Sequence, residues 1–157
     1  MATITVERFG RGKMLDPNRA RAVVKSALDK VAKDVKADYK ATMATWKKQK
    51  TEPVVANQGE ETRLIYVPNK IFGYVDSGTR PQVIRPKTAR MLAFRGGFTA
   101  KTQPGVIGSG PGWKSGVFTY AREVRHPGIK KRGWSELLAK KHKKTLASTL
   151  DSELGKL

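Results

Sequence analysis

The chain has 157 residues and carries 32 Lys and Arg against 13 Asp and Glu, so its formal net charge at pH 7 is +19. This length fits one domain that can bury a core, and an apolar fraction of 38% argues against wholesale disorder. The absence of cysteine excludes disulfides, thiol catalysis and cysteine-based zinc sites. No stretch is apolar enough to predict a membrane span, and residues 1–11 lack the apolar core of a secretory signal. We therefore expect a protein that is made and first used in a reducing cytoplasm, beside a polyanion or acidic protein neighbours.

The N-terminal third predicts a short arm followed by one long helix. Residues 1–15 form the arm, with a strand over Thr3–Val6. Asp16 can accept hydrogen bonds from the first backbone N–H groups of a helix, and Pro17 suits the first helical position. No Gly or Pro then interrupts the chain until residue 53, which predicts a helix over residues 17–50 with a basic outer face. Its apolar stripe recurs at steps of mostly three and four residues and comprises Ala20, Val24, Ala27, Leu28, Val31, Val35, Tyr39, Met43 and Trp46.

The rest of the chain predicts a sheet and a second helix. The sheet spans residues 53–126, with short strands at 54–56, 63–67, 82–84, 91–94 and 117–125, a turn-rich stretch at 68–80 and an extended Gly/Pro loop at 99–116. A helix over residues 134–154 follows, with four Lys on its outer face. The predicted fold class is α+β: a mainly antiparallel sheet of five or six short strands, packed by the long N-terminal helix and the C-terminal helix in a single domain over residues 1–157.

Asp76-Ser-Gly-Thr79 matches the signature of an aspartic protease. That chemistry needs two carboxylates sharing a proton, so a chain with one copy would have to dimerise. The alternative interpretation is a turn, in which Asp76 caps its own loop and Gly78 supplies a positive φ. We favour the turn, because so short a motif also arises by chance.

Two further patterns are weaker. The run from Gly108 to Ser115 resembles a phosphate-binding loop, but Trp113 separates Gly112 from Lys114 and no helix is predicted after it. His126 and His142 have no Cys or carboxylate cluster beside them in the sequence, so no metal site is predicted. We expect His126 to bond within a turn and His142 to be solvated on a Lys-rich helix face.

Positive charge in the middle of the chain is the strongest remaining signal. Residues 80–125 hold nine Lys and Arg and one Glu, a net charge of 9 − 1 = +8. Such groups can contact phosphates without reading sequence. Aromatic residues lie among them and either stack on bases or belong to the core; they are Phe94, Phe98, Trp113, Phe118 and Tyr120. No motif of sequence-specific DNA or RNA recognition is present.

Five fragments occur in a characteristic order: Ile71-Phe-Gly-Tyr-Val-Asp-Ser-Gly-Thr-Arg-Pro81, Ile84-Arg-Pro-Lys87, Leu92-Ala-Phe94, Ser115-Gly-Val-Phe118 and Arg122-Glu-Val-Arg-His-Pro-Gly-Ile129. This succession resembles the neck, or head–tail joining, proteins of tailed bacteriophages, which include head–tail connector and tail-completion proteins. In that family a long helix precedes a Tyr-x-x-x-Gly-Thr-x-Pro segment, and a His-Pro-Gly turn leads into a C-terminal helix. The resemblance covers roughly residues 17–150; the loop 99–115 is less tied to the family.

The resemblance implies a structural virion protein and not an enzyme. It implies a small α+β subunit, without cofactor or metal, that forms an oligomeric ring at the portal end of the capsid. The implied partners are other copies of the chain, the portal adaptor, head-closure or tail-terminator rings, and the genomic double-stranded DNA that passes through the lumen. The implied location is the virion neck, after assembly in the host cytoplasm, with no membrane involved.

On this interpretation the loops 80–90 and 99–116 reach neighbouring subunits or the DNA channel. The basic residues expected to face phosphate are Arg80, Arg85, Lys87, Arg90, Arg95, Lys101 and Lys114. The residues expected to contact other subunits or partners are Tyr74, Thr79, Pro81, Trp113, His126 and Pro127. Two alternatives remain open at this point: a free nucleic-acid-binding protein without sequence specificity and, more remotely, the dimeric aspartic protease.

Overall fold

The computed structural model describes residues 2–5, 16–44, 46, 51–108, 110 and 112–157. The helices are α1 (Pro17–Met43), α2 (Lys70–Ser77) and α3 (Trp134–Leu154). The strands are β1 (Ala2–Thr5), β2 (Val54–Asn57), β3 (Thr62–Tyr66), β4 (Gln82–Ile84), β5 (Leu92–Arg95), β6 (Phe98–Thr99), β7 (Trp113–Lys114), β8 (Phe118–Ala121) and β9 (Val124–His126).

Every pair of these strands is antiparallel, which confirms the α+β class with short antiparallel strands between two long helices. The strands are divided among four small ladders: one of three strands, in the order β1-β3-β2, and the two-stranded pairs β4–β9, β5–β8 and β6–β7. In the described part of the chain, no helix is long and apolar enough to cross a membrane.

The chain forms two compact units. The helix–sheet unit comprises residues 1–41, 51–68 and 135–157, and the basic unit comprises residues 42–50 and 69–134. The chain passes between them four times: near the end of α1, between residues 50 and 51, just before α2, and at the start of α3.

Burial in the helix–sheet unit follows the apolar stripe of α1. Asp16 begins the helix as predicted: its side chain accepts from the backbone N–H of Asn18 at 2.9 Å and its carbonyl from that of Ala20 at 3.0 Å. The apolar residues of the unit that are almost fully buried include Ala27, Leu28, Val31, Ala32, Val35 and Tyr39 of α1, Ile65 of β3, and Leu138 and Leu146 of α3. Buried Tyr39 also donates from its hydroxyl to the Oγ of Ser135 at 3.1 Å, which ties α1 to α3.

A buried arginine fixes the β2–β3 hairpin to α1. Arg63 is 2% exposed, and its Nε donates to Asp29 Oδ1 at 2.7 Å. Its Nη1 donates to three carbonyls of the same hairpin, those of Gly59, Glu60 and Thr62, at 3.4, 3.1 and 3.2 Å. The guanidinium therefore connects the turn of the hairpin to Asp29 of α1.

The predicted end of the long helix at residue 50 is wrong: α1 ends at Met43, and residues 47–50 lie outside the described part of the chain. The backbone N–H of Trp46 bonds to the carbonyl of Met43 at 2.9 Å. The Trp46 ring packs against Phe72 and Trp134, with centroid distances of 6.3 and 6.4 Å. A tertiary aromatic cluster therefore turns the chain where the sequence contains no Gly or Pro to signal an end.

The turn-rich interpretation of residues 68–80 is also corrected, because Lys70–Ser77 form α2. Asn69 is its N-cap: the side chain accepts from the backbone N–H groups of Ile71 at 2.8 Å and Phe72 at 3.3 Å. Asp76, which was expected in a turn, lies inside this helix, and Gly78 has the expected positive φ, 80°, just after it.

The middle strands form an irregular two-stranded ribbon, which comprises β5, β6, β7 and β8. β5 pairs with β8 and β6 with β7, and backbone bonds from Gly96 to Val117 and Gly116 connect the two ladders. Between the pairs Arg95–Phe118 and Phe98–Lys114, one strand has two residues and the other has three, which is a β-bulge. A Cβ on Gly116 would lie 2.4 Å from the backbone carbon of Gly96, so only glycine fits the bulge.

The strand predicted over residues 117–125 is two strands, β8 and β9, separated at Arg122 and Glu123. β8 pairs with β5, while β9 pairs with β4 in the register Gln82–His126, Val83–Arg125 and Ile84–Val124. The predicted strand at Thr3–Val6 is observed one residue earlier, and Val6, with the rest of the arm as far as residue 15, lies outside the described part. The helix predicted over residues 134–154 is α3 with the same bounds.

Candidate nucleic-acid interface

Positive charge is concentrated in the basic unit. This unit holds sixteen Lys and Arg and two Asp and Glu (16 − 2 = +14), whereas the helix–sheet unit holds sixteen and eleven (16 − 11 = +5). Of the two acids, Asp76 is buried in α2 and Glu123 accepts from the Nη2 of Arg85 at 3.0 Å. Residues 77–122 contain eight Lys and Arg and no acidic residue. A field of one sign over so much of the surface attracts polyanions.

The same unit exposes apolar side chains on its ladders. Eleven of the twelve large apolar residues that are exposed in the described part lie in the basic unit. No residue of β4, β5, β6 or β8 is buried. A two-stranded ladder without a packed face is marginal by itself, and both of its edges stay open for further pairing.

One face of the β5–β8 ladder combines aromatic and basic groups. In the β5–β8 register, Ala93 lies opposite Tyr120 and Arg95 opposite Phe118. Directly paired residues share a face of an antiparallel ladder, and residues two apart on one strand do so too. We call this set of four residues the Arg95 face. Phe118 and Tyr120 are 53% and 64% exposed, their ring centroids are 5.9 Å apart, and the Arg95 guanidinium lies 5.8 Å from the Phe118 centroid.

The residues predicted to face phosphate are distributed over the basic unit. Arg80, Lys87, Arg90 and Arg95 are exposed, while Lys101 is half-buried. Arg85 is exposed but shares its charge with Glu123, to which its Nε and Nη2 donate at 3.1 and 3.0 Å. Lys114 belongs to β7, and its side chain lies outside what the structure describes. Among these residues, and in the described part of the chain, only Arg95 contacts an exposed aromatic ring, that of Phe118.

The residues predicted to contact partners divide into two groups. Tyr74, Pro81 and Pro127 are exposed, with Tyr74 on α2. Thr79 and His126 are half-buried and bond within the chain; His126 Nδ1 accepts from the backbone N–H of Gly128 at 3.0 Å, the expected turn bond. Trp113 belongs to β7, and its side chain is not described.

The extended loop is anchored at several points. Thr102 is buried and its hydroxyl accepts from Arg132 Nε at 3.2 Å. The backbone N–H of Gly105 donates to the carbonyl of Arg132 at 3.0 Å, and the buried ring of Trp134 donates from Nε1 to the carbonyl of Val106 at 2.9 Å. Residues 101–106 therefore lie against the segment that leads into α3. No local pattern predicts this contact, because the anchors are two residues about 30 positions further along the chain.

The structure places Asp76, the residue of the protease alternative, at 9% exposure in α2, where its backbone carbonyl accepts from the N–H groups of Arg132 and Gly133 at 3.1 and 3.0 Å. The Gly108–Ser115 run contains strand β7 and is followed by strand β8, not by a helix. Among the residues described, no group of three His, Asp or Glu is arranged to hold a metal ion.

His142 is buried, and the prediction that it is solvated is wrong. It is 4% exposed, and its Nε2 lies 2.8 Å from Asp38 Oδ2, which also accepts from Lys141 Nζ at 2.7 Å. Burial alone would raise the pKa of Asp38, but the hydrogen bonds and charges of Lys141 and His142 prevail and lower it. The prediction failed because Asp38 and His142 are 104 residues apart and meet only when α1 and α3 pack.

No protein-family model matches the chain, and neither a curated protein nor a solved structure is significantly similar to it.

Proposed function

We propose that the chain is a structural protein of the neck of a tailed bacteriophage. Copies of it form a ring that joins head to tail and surrounds the channel for genomic double-stranded DNA. The observation that carries the proposal is the exposure of the ladders of the basic unit, whose strands have no buried residue in β4, β5, β6 or β8. Exposed apolar patches and unpaired strand edges are surfaces that other chains cover.

The charge of the basic unit supports the second half of the proposal. A net charge of +14 repels copies of itself unless a polyanion or acidic partners neutralise it. Exposed Arg80, Lys87 and Arg90 suit DNA that must slide, because contacts to phosphate oxygens are diffuse and carry no sequence information. Assembly is therefore expected to be strongest where DNA or the acidic surface of a neighbouring ring is present.

The order of the Gly-Thr-x-Pro and His-Pro-Gly segments, which carries the resemblance to neck proteins, also makes structural sense. Thr79 and Ile129 bond to each other through their backbones, and β4 pairs with β9 immediately beside them. The two segments meet in one junction of the basic unit, so a pattern that spans both of them has a structural reason.

A free nucleic-acid-binding protein is the second candidate, favoured by the absence of acidic residues from positions 77–122. The two candidates differ in the isolated chain. A ring subunit self-associates as its concentration rises, or on neck partners, and its monomer binds duplex DNA weakly. A free binder stays monomeric and binds duplex DNA with an affinity that falls steeply with salt.

Sedimentation velocity of the full chain, run over a range of concentrations beside a duplex mobility-shift assay at two salt concentrations, separates them. We expect discrete oligomers, visible as rings by negative-stain electron microscopy. A chain that remains monomeric, alone and with neck partners, while it binds duplex DNA tightly at low salt would replace the ring proposal with the free binder.

A further inference from the structure

We propose that the Arg95 face binds single-stranded DNA by stacking unpaired bases on Phe118 and Tyr120. Double-stranded DNA in a lumen does not require such a site, so this inference goes beyond the joining role. It rests on the proposed function only for the choice of DNA over RNA, because an aromatic ring stacks on the bases of either.

The two rings are arranged as a stacking platform. Phe118 and Tyr120 lie two residues apart on β8, on the same face, with centroids 5.9 Å apart and both rings more than half exposed. On the neighbouring strand, Ala93 lies opposite Tyr120, so the methyl group leaves that ring uncovered from the β5 side. Successive bases of a single strand stack on such adjacent rings whatever their sequence.

The charges beside the rings fit a phosphate backbone. The Arg95 guanidinium lies over the Phe118 ring at 5.8 Å, and Arg122, two residues beyond Tyr120, is exposed. Residues 77–122 contain no Asp or Glu, and Glu123, which follows Arg122, is paired with Arg85 at 3.0 Å. Aromatic rings interleaved with cations are the combination that single-stranded nucleic acid recruits.

Charge complementarity argues for this occupant over two others. A second copy of the same face would bring Arg95 and Arg122 against their own like charges. Duplex DNA could neutralise the arginines, but its bases are paired and stacked internally, so Phe118 and Tyr120 would remain without a partner. A single strand satisfies both the cations and the rings.

The test uses the full chain and fluorescence anisotropy. A labelled oligothymidylate about 15 nucleotides long is compared with a duplex of the same length at two salt concentrations. We expect the single strand to bind more tightly, with a salt slope of about −0.7 for each phosphate contacted. Equal or tighter binding of the duplex would overturn the proposal.

Substitutions test whether the oligonucleotide binds to the Arg95 face. The Phe118→Leu/Tyr120→Leu double variant keeps apolar bulk but removes stacking, and we expect it to weaken oligonucleotide binding roughly tenfold or more. Phe98→Leu, which removes an exposed ring beyond the bulge on β6, is the matched control and should bind as the parent does. Arg95→Gln should lower the salt slope by about 0.7 and tests the same face without altering the rings.

Mass photometry of the same samples distinguishes failure of this inference from failure of the ring proposal. Full oligonucleotide affinity in the double variant would overturn the stacking site, whether or not rings form. Loss of self-association in the double variant with unchanged oligonucleotide binding would show the face to be a contact between copies, and would likewise overturn it. Weakened oligonucleotide binding with oligomers of unchanged mass is the result that the proposal predicts.

Discussion

Thr79 and Ile129 bond to each other through both backbone groups, although they are 50 positions apart. The N–H of Thr79 donates to the carbonyl of Ile129 at 2.9 Å, and the N–H of Ile129 lies 3.2 Å from the carbonyl and 3.0 Å from the hydroxyl of Thr79. Gly128 lies beside this bridge with a φ of +86°, and a Cβ there would come within 2.3 Å of the Thr79 carbonyl oxygen. The bridge is therefore possible only with glycine at this position.

Gly128→Ala is expected to lower the free energy of unfolding of the basic unit by at least about 2 kcal/mol. The alanine would have to adopt a left-handed backbone conformation, and its Cβ would clash with the backbone of Thr79, which cannot rotate away as a side chain could. Urea unfolding followed by tryptophan fluorescence measures it, because Trp46, Trp113 and Trp134 all belong to this unit.

Gly105→Ala is the matched control for Gly128. Gly105 has a φ of +75° in the same unit, but nothing lies within 4 Å of its added Cβ. The Gly105→Ala variant should lose only about 1 kcal/mol of unfolding free energy, which is the cost of the left-handed backbone. Equal effects of the two substitutions would mean that Gly128 is not closely packed against Thr79.

Arg63→Ala is expected to destabilise the helix–sheet unit by about 2–3 kcal/mol. It removes the donor to Asp29 and to three turn carbonyls from a position that is 2% exposed. Thermal unfolding followed by far-ultraviolet circular dichroism reports it. Arg19→Ala, whose pair with Asp16 is exposed on both sides, should change stability by less than about 0.5 kcal/mol; a comparable loss there would contradict this role for burial.

Stability should depend on pH through Asp38. Its pKa in the folded chain is lower than the ordinary value of 3.8, because Lys141 and His142 bond to the carboxylate and outweigh its burial. The ionised group therefore stabilises the fold fully above the unfolded pKa, and this contribution is lost as the pH falls below 3.8 through the folded pKa. Urea unfolding at pH 7 and at acid pH should show a smaller acid loss in Asp38→Asn than in the parent, and an unchanged loss would contradict it.

Local sequence signals predicted the two long helices, in which burial is periodic. The stripe from Ala27 to Tyr39 gave α1, Asp16 gave its beginning, and Leu138 and Leu146 mark the buried side of α3. The end of α1 could not be predicted, since Trp46 turns there to meet rings at positions 72 and 134. Helix α2 could have been found from Asn69 as an N-cap, but Pro68-Asn69 and Ser77-Gly78-Thr79 favoured a turn-rich interpretation.

The charge of the candidate interface was readable from the sequence, but its geometry was not. Arg95 and Phe118 share a face only because β5 pairs with β8 in one register, which composition does not specify. Composition likewise does not specify that Thr102 bonds to Arg132, or that His142 bonds to Asp38. The proposed roles in DNA contact and partner contact remain predictions.

Charge reversal on the loop 80–90 tests the contact with DNA. Lys87→Glu/Arg90→Glu changes two exposed cations that have no described ion pair, unlike Arg85. We expect particles assembled with this variant to lose packaged DNA or to inject it less efficiently, because repulsion replaces diffuse phosphate contact. Lys140→Glu/Lys143→Glu on α3 of the helix–sheet unit makes the same change in charge and should leave particles unaffected; an equal defect in both would assign the effect to net charge alone.

The location of the chain in virions tests the central claim most directly. The account expects a tailed bacteriophage to encode this chain, and its purified virions would be analysed by quantitative mass spectrometry and by gold labelling with an antibody against the chain. The account predicts several copies per particle, a number suited to a ring, with label at the head–tail junction. Particles that join head to tail and infect normally without containing the chain would contradict it.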